Sequence, residues 1–89
     1  MARREFMDVD NAVLGLAPAG AEAFYRLGMM YSIGSAVPTD LVAAHKWFNL
    51  AAMKGNSDAI RLRQEVAASM SPAEIAEAQR AARAFLTAH

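Results

Sequence analysis

The sequence predicts an all-α fold in which about four to five helices form an antiparallel array of helix hairpins. Alanine, the best helix former, occurs 21 times among the 89 residues. Valine, isoleucine and threonine are few and never alternate with polar residues over the length of a strand. Proline and glycine divide the chain into helical patterns joined by short loops, which favours antiparallel neighbours within one small domain.

An N-terminal arm or short helix is expected over residues 1–18. Phe6, Val9, Val13 and Leu16 have helical spacing, but Pro18 ends the pattern early. A helix is predicted from about Ala19 to Ile33. Its predicted core stripe contains small and apolar residues, with Phe24 at the edge of the stripe. The stripe residues are Ala23, Leu27, Met30, Tyr31 and Gly34.

The second helix is predicted from about Thr39 or Asp40 to Lys54. Either of its first two residues supplies an N-cap oxygen, and Gly55 is placed for the left-handed position that ends a helix. Its predicted core stripe is Ala43, Trp47, Leu50 and Ala51.

Two further helices are expected over residues 56–88. Asn56 is a good N-cap for the third helix, whose predicted stripe is Ala59, Leu62, Val66 and Met70. Residues 71–74 read Ser-Pro-Ala-Glu, a capping box with proline at the first helical position. The fourth helix therefore begins there, and its predicted buried stripe is Ile75, Ala78, Gln79, Ala82, Phe85 and Leu86.

A longer pattern joins the first two helices. In order, its residues are Ala23, Tyr25, Leu27-Gly28, Tyr31, Gly34, Val37, Asp40, Ala44, Trp47-Phe48, Ala51-Ala52, Gly55 and Ala59. This pattern resembles the Sel1-like repeat, a longer-looped relative of the tetratricopeptide repeat. The tetratricopeptide period is about 34 residues, and here residues 34–40 add about four residues between the helices. The resemblance implies an α-solenoid.

The resemblance covers one full repeat, at about residues 23–58, within a unit of residues 19–89. Arg63 stands where a second repeat would place leucine, so residues 56–88 are interpreted as C-terminal capping helices. Residues 71–80 are similar to the closing helix that often follows such repeats.

A candidate partner-binding surface lies on the first helix. Repeats of this kind are implied to be protein-binding scaffolds, and in the tetratricopeptide relatives the first helix of each pair lines the concave face. At about 100° per residue, five residues lie opposite the core stripe, namely Glu22, Tyr25, Met29, Ser32 and Ile33. Methionine and tyrosine suit contact with an apolar partner segment. The alternative is that the N-terminal arm or the last helix covers these residues.

Other chemistry is not indicated. Trp47 has a core position in the repeat, and the two histidines, His45 and His89, are far apart with no metal-ligand spacing. There is no cysteine, no G-x-S-x-G motif and no phosphate-binding loop. We therefore predict no catalytic residue, metal or cofactor.

Charge argues against two classes of partner. Nine basic residues balance nine acidic ones, and no aromatic residue interleaves the arginines of the second half. No apolar run approaches the roughly 18–20 residues of a membrane span.

Acidic residues follow the N-terminal arginines, unlike in a signal peptide. We expect no nucleic acid, no membrane insertion and a cytoplasmic location, the alternative being a periplasmic domain whose signal peptide has been removed.

The predicted function is a non-enzymatic adaptor that binds a segment of another protein. One alternative is a self-associating structural module, because solenoids need about three repeats to bury a continuous core. In that case residues 6–16 exchange between the protomers of a homodimer. A second alternative is a small regulatory subunit of another protein.

Overall fold

The computed structural model describes residues 20–88, which form four α-helices and no strand. The helices are α1 (Ala21–Ile33), α2 (Leu41–Met53), α3 (Ser57–Ala67) and α4 (Pro72–Ala88). The predicted all-α class is confirmed. The N-terminal arm predicted for residues 1–18 lies outside the described residues, as does the start of the first helix predicted at Ala19.

Polar side chains cap α2 and α3 as the sequence predicts. Asp40 Oδ1 accepts a hydrogen bond from the Ala43 N–H at 3.1 Å. Asn56 Oδ1 accepts one from the Ala59 N–H at 3.0 Å. Each bond satisfies a backbone donor that has no partner inside the helix. Of the two N-caps proposed for α2, the structure uses Asp40.

The capping box forms at the start of α4. Ser71 Oγ accepts from the Glu74 N–H at 3.1 Å, and the Ser71 N–H donates to Glu74 Oε1 at 2.8 Å. These reciprocal bonds, with Pro72 as the first helical residue, explain why the helix begins there.

Glycine is required at three places in the α1–α2 pair. Gly34 has φ 75° and its N–H donates to the Met30 carbonyl at 2.9 Å, which ends α1. Gly55 has φ 104° after α2. Both values lie in the left-handed region that favours glycine. At Gly28 the reason is space, since a Cβ there would lie 2.5 Å from ring atoms of Phe48.

The core is centred on α2, which packs against α1, α3 and α4. Trp47 and Phe48 of α2 and Leu27 of α1 are almost completely buried. The Trp47 ring stacks on Phe24 at a centroid distance of 5.7 Å, and Phe85 of α4 meets Trp47 edge-on at 5.1 Å. Phe24 is therefore a core residue, and its predicted place at the edge of the stripe is wrong.

The outer helices bury less than their patterns predict. In α3 only Ala59 is fully buried, whereas Leu62, Val66 and the following Met70 are half-buried. In α4 the fully buried residues are Ala78 and Ala82. Met30 of α1 and Ala43 of α2 are also half-buried rather than buried.

Two residues of the stripe predicted for α4 are exposed. Gln79 is exposed, and Leu86 is 42% exposed. The physical reason is that α4 packs mainly on α2 through small alanine side chains, so the buried strip of α4 is narrow. The prediction of burial was wrong for Gln79 and Leu86.

Candidate partner-binding surface

Three apolar residues of α1 form what we call the α1 stripe, namely Tyr25, Met29 and Ile33. They recur every four residues, so they follow one side of the helix. Ile33 is 62% exposed, whereas Tyr25 and Met29 are half-buried. The stripe therefore becomes more exposed towards the C-terminal end of α1.

The inner part of the α1 stripe contributes to the fold. Tyr25 and Met29 pack against the hydrophobic core, and the Tyr25 ring lies 6.1 Å from the ring of Phe48. The stripe consequently lies on a flank of α1 rather than directly opposite the core. The expectation of a face wholly opposite the core is corrected, because α2 approaches α1 closely at Gly28 and brings the Phe48 ring towards Tyr25.

The two polar residues of the predicted surface have local partners. Glu22 Oε1 accepts from Arg26 Nη2 at 2.5 Å in an exposed pair one helical turn apart. Ser32 Oγ donates to the Met29 carbonyl at 3.1 Å. Glu22 thus presents its charge together with a neighbouring cation, and Ser32 keeps an oxygen that can accept a hydrogen bond.

Helix α4, which the sequence suggested as a possible cover for the α1 stripe, approaches α1 on the side of α1 that carries Phe24. The Phe85 ring meets the Phe24 ring edge-on at a centroid distance of 5.7 Å. The other candidate cover for the α1 stripe, the N-terminal arm, lies outside the described residues.

Trp47 has the core position that its place in the repeat predicts. It is 2% exposed, and the Lys46 ammonium lies 4.0 Å from the centroid of its ring. The same ammonium lies 5.8 Å from the Phe85 ring centroid. A cation over an indole face is favourable. Lys46 therefore covers part of the aromatic cluster formed by Phe24, Trp47 and Phe85.

A polar cluster that sequence reasoning missed lies between α2 and α3. His45 is 4% exposed, and its buried Nδ1 has no hydrogen-bond partner. Arg63 Nη1 of α3 donates to Asn49 Oδ1 of α2 at 2.6 Å. Burial and, to a lesser extent, the Arg63 charge lower the pKa of His45. In the sequence, the position of His45 next to the core residue Ala44 is the signal that indicates its burial.

An open cavity of about 330 Å³ lies at the N-terminal ends of α2 and α4. Its two carboxylates, Asp40 and Glu74, both accept backbone hydrogen bonds as helix caps. Its lining residues are Tyr31, Pro38, Thr39, Asp40, Leu41, Val42 and Glu74. This arrangement serves helix capping.

Across residues 20–88 there is no group of three or more His, Cys, Asp or Glu side chains that could hold a metal ion. No helix in that range is sufficiently long and apolar to cross a bilayer.

The α1–α2 pair and its loops define a helical repeat of the α-solenoid class. Residues 21–56 match the family model of the Sel1 repeat, from the first residue of α1 to the N-cap of α3. The chain therefore contains a Sel1 repeat, displaced by two residues from the predicted 23–58.

Similarity to one curated protein extends beyond the repeat. The chain is 35% identical over 66 residues to the alginate biosynthesis protein AlgK of Azotobacter vinelandii. The aligned segment covers 74% of this chain but only 14% of that relative. No solved structure matches the chain.

Proposed function

We propose that this chain is a non-enzymatic adaptor that binds a segment of a partner protein along the α1 stripe. Sel1 repeats generally mediate protein–protein interaction. Glu22 and Ser32 form the polar rim of the proposed surface. Because the relative AlgK is named for alginate biosynthesis, proteins of that process are the first candidate partners.

The observation that supports this surface most directly is the exposure of Ile33. A branched apolar side chain that is 62% exposed gains by burial against a partner, at about 25 cal/mol for each Å² removed from water. Met29 beside it is flexible and polarizable, and the outer part of Tyr25 adds a ring with a polar end. The surface therefore suits an apolar segment of another protein.

Ile33→Glu is the variant that tests the proposal. It places a charge in the proposed interface, where an unpaired charge is costly to bury, and leaves the core untouched. Met53→Glu is the matched control, because Met53 is an apolar residue of similar exposure, 60%, and belongs to α2 rather than to α1. Tyr25 is unsuitable, since it packs against Phe48 and its removal would also destabilise the fold.

The measurement is site-specific photo-crosslinking in cells, with the photoreactive residue placed at position 29 in the native, Ile33→Glu and Met53→Glu chains. We expect one discrete partner adduct in the native and Met53→Glu chains and at least tenfold less in Ile33→Glu. Equal adduct yields in the two glutamate variants, with both chains folded by circular dichroism, would contradict the proposal.

The alternative of self-association has its own outcome in this experiment. A crosslinked species of twice the chain mass, together with a dimer in light scattering over a hundredfold concentration range, would favour a homodimeric structural module. An adduct to an enzyme whose activity changes would favour a regulatory subunit.

The proposed cytoplasmic location is tested by fractionation of the same cells.

A further inference from the structure

We propose that His45, Asn49 and Arg63 form an acid-sensitive contact between α2 and α3, in which protonation of His45 loosens α3 from the rest of the fold. The proposal concerns a polar cluster separate from the α1 stripe. It therefore stands or fails independently of partner binding.

A hydrogen bond between Arg63 and Asn49 connects the two helices, and the buried His45 lies one turn from Asn49 on α2. His45 and Asn49 are one turn apart on α2 and so share a face. Arg63 of α3 is half-buried, and its Nη1 donates to Asn49 Oδ1 at 2.6 Å. His45 is 4% exposed, and its Nδ1 is enclosed without a hydrogen-bond partner. Because the Arg63 charge acts on His45, a proton added to this buried ring adds a second positive charge that the Arg63 guanidinium repels.

The charged groups around the cluster do not offset that second charge. Arg63 is the described residue whose charge acts on His45. On α1, Glu22 and Arg26 pair with each other at exposed positions. On α2, the Lys46 ammonium lies over the Trp47 ring. The other charged residues of α3 and α4 are all exposed, namely Asp58, Arg61, Glu65, Glu74, Glu77, Arg80 and Arg83.

The sign of the effect follows from linkage. Burial first, and Arg63 second, lower the pKa of His45 below its ordinary value of 6.5. The unfolded or opened state then binds a proton more readily than the folded state does. The contribution of uncharged His45 to the stability of the contact between α2 and α3 is complete well above pH 6.5. It is lost as the pH falls below 6.5. Each pH unit below 6.5 raises the opening constant by up to about tenfold, until the lowered pKa is reached.

The helix expected to respond is α3. Only Ala59 of α3 is fully buried, and Leu62 and Val66 are half-buried against the core, so α3 is held by fewer fully buried side chains than α2. On α2, by contrast, six residues are fully buried. Opening should therefore be local to α3 rather than global at mildly acidic pH.

The test is amide hydrogen exchange on the full chain, measured by NMR between pH 7.5 and 5.0 and corrected for the intrinsic pH dependence of exchange. We expect the protection factors of α3 amides to fall as the pH is lowered below 6.5, while those in the middle of α2 stay constant. Protection of α3 that is unchanged across this range would overturn the proposal.

Three variants test whether the pH dependence of α3 protection comes from His45 and its neighbour Arg63. His45→Gln should abolish the pH dependence of α3 protection, because glutamine does not titrate. Arg63→Leu should reduce the dependence without abolishing it, because burial still acts on His45. Arg63→Leu also keeps the test available if His45→Gln does not fold. His89→Gln, the matched control for the other histidine, should change nothing. Full pH dependence in His45→Gln, or its loss in His89→Gln, would each refute the proposal.

Discussion

At the residue scale, α1 and α2 approach each other closely where Gly28 faces Phe48. A methyl group at position 28 would lie 2.5 Å from the Phe48 ring atoms, and Phe48 is completely buried. Glycine costs helix propensity there, about 1 kcal/mol relative to alanine. The close contact between α1 and α2 is thus obtained at the expense of local helix stability.

Gly28→Ala is expected to lower the free energy of unfolding by up to about 2 kcal/mol. Forcing a methyl into the packed contact costs about 1–3 kcal/mol, which outweighs the gain in propensity. Urea unfolding followed by circular dichroism measures the change. Phe48→Leu provides the control, because in its background the added methyl has more room. If the two substitutions are additive, the Phe48 ring is not the source of the cost.

The residues that sequence reasoning misplaced are those whose surroundings come from distant parts of the chain. Phe24 was assigned to the edge of a stripe, but Trp47 and Phe85 enclose it. Tyr25 was assigned to an open face, but Phe48 covers part of it. Helical periodicity shows which residues share a face. It does not show how much of that face a neighbouring helix buries. Ile33, farthest along α1, has the exposure that the sequence predicts.

At the element scale, helix starts were predicted well because the signals are local. Asp40, Asn56 and Ser71 each bond a backbone N–H only three residues away, so no tertiary contact is needed to recognise them. The buried width of α4 was predicted poorly, since Gln79 and Leu86 would be buried only if another element covered that side. Capping is encoded over four residues, whereas burial depends on the whole packing arrangement.

Ser71→Ala is expected to reduce the free energy of unfolding by about 1 kcal/mol. The change removes the hydroxyl that accepts from the Glu74 N–H, and N-cap losses of this kind cost about 0.5–2 kcal/mol. Thermal unfolding followed by circular dichroism measures the loss. Ser69→Ala is the matched control at an exposed position two residues earlier, outside the capping box. Equal effects of the two substitutions would show that the capping box contributes nothing.

At the scale of the whole molecule, an aromatic cluster connects the repeat to the last helix. Phe24 of α1, Trp47 of α2 and Phe85 of α4 meet with centroid distances of 5.1–5.7 Å. The Sel1 match covers only the first two of these helices. Through Phe85, α4 is part of the same cooperative core as the repeat, so at neutral pH, where the contact between α2 and α3 is intact, residues 20–88 should unfold as one unit.

Phe85→Ala is therefore expected to destabilise the entire fold by about 2–3 kcal/mol. This value is below the usual 3–5 kcal/mol for a fully buried phenylalanine, because Phe85 is half-buried. Trp47 is the single tryptophan, so its fluorescence and the circular dichroism of all helices can be compared in one urea titration. Leu86→Ala, at the exposed neighbouring position, should cost less than about 1 kcal/mol. Separate fluorescence and dichroism transitions in the native chain would contradict the single cooperative unit.

The contact between Gly28 and Phe48 also predicts how this repeat can diverge in evolution. A larger residue at position 28 is tolerated only where position 48 has become smaller or more flexible, or where the two helices have moved apart. Substitutions at these two positions should consequently be correlated among relatives of this chain, and a phenylalanine at 48 should be found together with glycine at 28. Grafting the α1 surface onto another helical repeat should for the same reason transfer both positions together.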